Sequence, residues 1–139
     1  MKQAWRQVWF GGVIRWGPAL ALMGTIFWFS NQSQLFVFPE SWLDLVTKKL
    51  AHATGYFLLA LAYRWGLECQ GPGGRRRALL AWGLAVLYAL SDEWHQTFVP
   101  GRNGNLLDVA VDSLGATAAL FAWPLLVTRL GLSPRRWGC

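Results

Sequence analysis

Three short clusters of this 139-residue chain carry side chains able to do chemistry. The first is Lys49-x-x-His52-x-x-x-Tyr56, whose i, i+3, i+7 spacing puts a cation, an imidazole and a phenol on one face of a helix. The second is Asp92-Glu93-Trp94-His95-Gln96, in which Asp92, His95 and Gln96 share a face and Glu93 is offset by about 100°. The third is Arg102 followed by Asp108 and Asp112, two carboxylates separated by one helical turn. A histidine beside carboxylates can act as general acid or base, which nominates Glu93, His95, His52 and Asp92 as catalytic candidates. Lys49 and Arg102 can hold a phosphate or carboxylate, and Tyr56, Gln96, Asp108 and Asp112 complete a binding set. Each cluster also has a structural reading. Lys-x-x-His can be an interfacial pair whose stems snorkel, and Asp108 can be a first-turn charge favoured by the helix dipole.

Neither a metal nor another cofactor is expected from the pattern. Asp92-x-x-His95 is a single carboxylate–histidine spacing without a second copy, and H-E-x-x-H does not occur. Ser91 and Ser113 lack the strand–turn–helix setting of a serine nucleophile. Cys69 and Cys139 have no metal-ligand spacing, and both fall in segments expected in the cytoplasm, where a disulfide is disfavoured.

The elements that must position these groups are read from composition. Hydrophobic residues make up 54% of the chain and charged ones 14%, which excludes an ordinary soluble domain. Ten Trp add the amphipathic rings typical of membrane–water interfaces. Apolar stretches run over Trp16–Phe29, Leu50–Leu67, Ala78–Val99 and Leu106–Leu130, against the ~20 residues needed to cross a bilayer. The first is short and is extended back to Phe10, with Arg15 snorkelling. A cleaved signal peptide is the alternative, but Ser30-Asn31-Gln32-Ser33 offers no small-residue cleavage site. Asn31–Thr47 is expected to be a polar loop, with Phe36–Phe38 and Trp42 touching the interface. The turn 100–105 and the Gly-rich break before Arg75 are connections.

The expected fold is all-α, an integral membrane bundle of four antiparallel transmembrane helices. Its division is a basic N-terminus over 1–15, a membrane domain over 16–130 and a tail over 131–139. Lys2, Arg6, Arg15, Arg64, Arg75–Arg77, Arg129, Arg135 and Arg136 fall on one side, against Lys48, Lys49 and Arg102 on the other. The positive-inside rule then puts both termini in the cytoplasm. The net charge of +6 therefore reads as a topology signal, with anionic lipid rather than nucleic acid as its partner. A carboxylate on a lipid-facing surface costs ~2.5–3.5 kcal/mol near the bilayer centre, so the acids are expected to face the bundle interior at its outer end.

Leu87 through Arg102, followed by Asp108, Asp112 and Gly115, resembles the VanZ-like family's Asp-Glu-x-His-Gln-x-Phe-Val-Pro-Gly-Arg signature and its Asp-x-x-x-Asp-x-x-Gly continuation. Lys49-x-x-His52-x-x-x-Tyr56 is similar to that family's first motif, and Phe29-Ser-Asn-Gln32 to its Ser-x-Gln at the end of helix one. The similarity covers roughly residues 20 to 127. It departs at Lys48 and Gly55, where relatives often carry an acid or arginine and an acid, respectively. The resemblance implies a multi-pass bacterial inner-membrane protein related to those associated with resistance to the glycopeptide teicoplanin; it does not supply a reaction. The leading expectation is a protein that binds, and by extension modifies, an envelope lipid or lipid-linked precursor at its outer face. A non-catalytic protein that alters antibiotic access, its polar cluster a structural network, is the alternative. Proton-linked transport ranks lower, because the inner half of the bundle lacks polar residues.

Overall fold

The computed structural model describes residues 2–32, 41–68 and 74–131. They form four helices and no strand: α1 (Lys2–Ser30), α2 (Ser41–Glu68), α3 (Gly74–Gln96) and α4 (Leu106–Leu130). At about 1.5 Å per residue each is longer than the ~30 Å of a bilayer core. Two of them, over Val13–Ser30 and Leu106–Arg129, are also apolar enough throughout to cross a membrane.

Two boundaries differ from expectation. The first helix begins at Lys2, two turns before the Phe10 to which the apolar stretch was extended. The second helix starts at Ser41, so Trp42 and Asp44 belong to its first turns instead of a polar loop. A Ser–Trp–Leu–Asp start supplies an acid where the helix dipole favours one, and Asp44 bonds Lys48 one turn on at 2.7 Å. Cys69, Cys139 and Phe36–Phe38 lie outside the described residues.

The packing is inverted relative to a soluble bundle. Ala19, Ala60, Ala81, Ala85, Ala89, Ala116 and Ala119 are buried, while Leu20, Leu87, Leu114 and Phe121 stand 64–73% exposed. Small residues let helix backbones approach closely, and large apolar ones left outside need a hydrocarbon solvent. Gly115 marks the tightest approach: a Cβ there would fall on the backbone of Ala53 in α2. Accordingly α2 and α4 form the most extensive interface, although they are not consecutive in the chain. Lys49 meets Asp108 and His52 meets Asp112, so these two helices run in the same direction. In the same way Met23 and Ser30 of α1 meet Tyr88 and Asp92 of α3. Polar side chains thus collect where α1 and α3 end and where α2 and α4 begin.

Candidate functional site

The structure sorts the polar residues of this end into two groups. One ties α1 to α3. Ser30 Oγ donates to Asp92 Oδ2 at 2.7 Å, and Gln96 Nε2 donates to the same oxygen at 3.1 Å. Arg102 closes the group: Nε donates to the Gln32 carbonyl (3.1 Å), Nη2 to the Phe29 carbonyl (3.2 Å) and Nη1 to Gln96 Oε1 (3.1 Å). The last carbonyls of a helix have no intrahelical partner, so a guanidinium fork at the end of α1 meets a standing need. Gly101, at φ 80°, lets the turn after α3 fold back far enough to deliver Arg102 there.

The other group borders a cavity of about 180 Å³ whose walls include Lys48, Lys49, His52, Glu93, Arg102 and Asp108. Lys49 pairs with Asp108 across α2 and α4. Glu93 Oε2 accepts from the backbone N–H of Asn105 (2.9 Å), and Glu93 Oε1 accepts from Gln96 Nε2 (3.1 Å). Asn105 in turn caps α4, its Oδ1 accepting from Leu107 N–H at 3.0 Å. Glu93 therefore both faces the cavity and holds the start of α4. Beneath it, Asp112 is 1% exposed, and neither of its carboxylate oxygens has a hydrogen-bond partner. His52 Nδ1, also unpartnered, stands 3.6 Å from Asp112 Oδ1, too far for a hydrogen bond.

Of the catalytic candidates, His52 and Glu93 are at the cavity. Asp92 gives Oδ2 to Ser30 and Gln96 while its Oδ1 is buried without a hydrogen-bond partner, and His95 turns towards α1, where its ring stacks on Phe27 at 4.6 Å. Of the binding candidates, Lys49, Gln96, Arg102 and Asp108 line the cavity, while Asp112 and Tyr56 are buried residues outside its lining. The Tyr56 ring stacks 6.5 Å from that of His52, and its hydroxyl has no partner. Gly55 packs on Ile26 of α1, away from the cavity. Lys48 and Asn105 are site residues that sequence reasoning passed over. The Asp44–Lys48 i,i+4 spacing and an Asn before an apolar run were the available signals. The three clusters were expected to gather at one end of the bundle, but nothing in the spacing singled out His52, Glu93 and Asp112, of which one potential ligand atom each lies within 4.8 Å of the others.

Exposed apolar flanks, buried alanines and a polar cavity at one end are the features of an all-helical membrane protein with a candidate site at the mouth of its bundle. More particularly, the chain belongs to the VanZ/LLP1 family, whose model matches residues 3–127. That match reaches further towards the N-terminus than the motifs alone and includes nearly all of α1. Membership places it with membrane proteins associated with antibiotic resistance. No curated protein and no solved structure matches the chain.

Proposed function

We propose that this chain crosses the bacterial cytoplasmic membrane four times with both termini inside, and that its outer cavity binds the anionic head group of an envelope lipid or lipid-linked precursor. Modification of the bound group at the same site, and a link to teicoplanin resistance, belong to this reading. The observation that carries it is the cavity itself. Lys48 and Lys49 stand on one wall, with His52 and Glu93 within reach, at the end of a bundle whose flanks are apolar. Lys49 holds Asp108 in a pair that is about one-third exposed, so an incoming phosphate can compete for the ammonium. The charges that depress the hydropathy of α2 and α3 lie at helix ends or face the interior, which is compatible with four crossings.

Lipid analysis of a deletion strain tests the reading, with accumulation of one anionic lipid or precursor as the expected result. His52→Ala and Glu93→Gln should reproduce that accumulation at unchanged membrane abundance. A lipid profile identical to wild type would end this proposal. The second reading, a non-catalytic protein that alters antibiotic access, draws support from the mutual occupation of Ser30, Asp92, Gln96 and Arg102. It requires the resistance phenotype to survive Glu93→Gln and His95→Asn.

A further inference from the structure

Asp112 is the least satisfied group in the described structure. Its side chain is buried in the bundle interior, neither oxygen has a hydrogen-bond partner, and its contact with His52 Nδ1 at 3.6 Å is a charge pair only when that ring is protonated, so an ionised carboxylate here costs several kcal/mol unless something neutralises it. The nearby cations are already engaged: Lys49 by Asp108, and Arg102 by two carbonyls and Gln96. Close to Asp112 stand His52, whose Nδ1 is also without a hydrogen-bond partner, and Glu93, with the buried Tyr56 hydroxyl nearby. Each oxygen of Glu93 accepts one hydrogen bond, which orients the carboxylate and leaves it further lone pairs.

From this geometry we infer that His52, Glu93 and Asp112 form a binding site for one divalent transition-metal ion at the floor of the cavity. Nitrogen and carboxylate ligands at ~2.0–2.2 Å from a tetrahedral ion lie about 3.4 Å from each other. His52 Nδ1 and Asp112 Oδ1, at 3.6 Å, already have that separation. Glu93, with all three ligand atoms within 4.8 Å, needs a shift of up to about 1.4 Å to join them, within the range of side-chain rotation. The donor set of one imidazole and two carboxylates suits Zn²⁺, Mn²⁺ or Fe²⁺, and two carboxylate charges balance the ion. Three protein ligands leave a coordination position open. His52 and Glu93 both line the cavity, so that position faces it, where water or an oxyanion can bind. The metal site stands independently of the lipid proposal, since it is read on the protein alone.

The test uses the full chain purified in detergent, stripped with chelator and equilibrated with Zn²⁺, Mn²⁺ or Co²⁺. Bound metal is measured by mass spectrometry after dialysis, and visible absorption reports Co²⁺ geometry. Wild type should retain about one equivalent of at least one of these ions, and Co²⁺, where bound, should show the intense bands of a four-coordinate site. Asp112→Asn and His52→Gln should each lower retention at least tenfold, whereas Asp44→Asn and Glu68→Gln, which lie away from the cluster, should leave it unchanged. Gel filtration reports whether each variant remains folded. The partly exposed His52 position supplies a second variant should the buried Asp112→Asn fail that check. Wild type retaining less than a tenth of an equivalent, or folded His52→Gln retaining as much as wild type, overturns the inference.

Discussion

Replacing Gly115 by alanine sets two known effects against each other. In an open helical position the change gains up to about 1 kcal/mol of helix propensity. At Gly115, however, the new methyl would be driven into the carbonyl, carbonyl carbon and Cα of Ala53. Those atoms are main chain inside α2 and cannot swing aside as a side-chain tip would. Overpacking costs typically about 1–3 kcal/mol, and a rigid backbone neighbour puts this case at the upper end, leaving a net loss of about 1–2 kcal/mol. Gly83 is the matched control, because a Cβ there meets nothing within 4 Å and the propensity gain of about 0.5–1 kcal/mol stands unopposed. Unfolding of both variants in detergent micelles, followed by circular dichroism, should therefore move in opposite directions. The same displacement would separate Lys49 from Asp108 and His52 from Asp112, so Gly115→Ala should also weaken any ligand of the cavity. Equal stability of the two variants, or a more stable Gly115→Ala, would refute the close α2–α4 packing on which the site depends.

Arg102→Lys removes the fork that reaches two carbonyls and Gln96 at once; unfolding midpoints should show a loss of about 1.5–3 kcal/mol, and a lysine variant as stable as wild type would contradict the clamp. Asn105→Ala should cost about 1 kcal/mol in the same measurement through loss of the α4 cap, with Asn105→Ser recovering most of it. A green-fluorescent reporter fused after Cys139 should be bright, since it matures in the cytoplasm. A dark fusion at normal abundance would reverse the orientation.

Much of this was legible in the sequence because it is local or compositional. Helical spacing put Lys49, His52 and Tyr56 on one face, and the turn over Pro100–Asn105 correctly separated α3 from α4. What could not be read was which residues would be used up by others. Arg102 looks like a free cation in sequence. Its partners are carbonyls of residues 29 and 32, and main-chain atoms carry no sequence signature. His95 was equally opaque, because its partner Phe27 is one of many aromatics on α1. The start of α2 was misplaced for a different reason: Asp44, Lys48 and Lys49 break the apolar run, so hydropathy read helical turns as loop. His52, Glu93 and Asp112 come from three helices, and their close grouping depends on α2 and α4 lying side by side, an adjacency that connection lengths do not encode.

The attachment of α1 has a consequence for how this protein can vary. Arg102 grips it through the oxygens of Phe29 and Gln32, and Tyr88 donates its hydroxyl to the oxygen of Met23. Such grips recognise the path of a backbone and are blind to the side chains it carries. Apart from Ser30, whose hydroxyl Asp92 requires, and Met23, whose sulfur accepts from the Tyr63 hydroxyl at 3.1 Å, the polar tethers would accept many sequences of suitable bulk in that helix. Where it is held by its main chain the first helix is thus freer to drift than the seam of α2 and α4, which is held to the exact size of its residues, while its own buried positions, Ala19 and Ser30 among them, stay constrained.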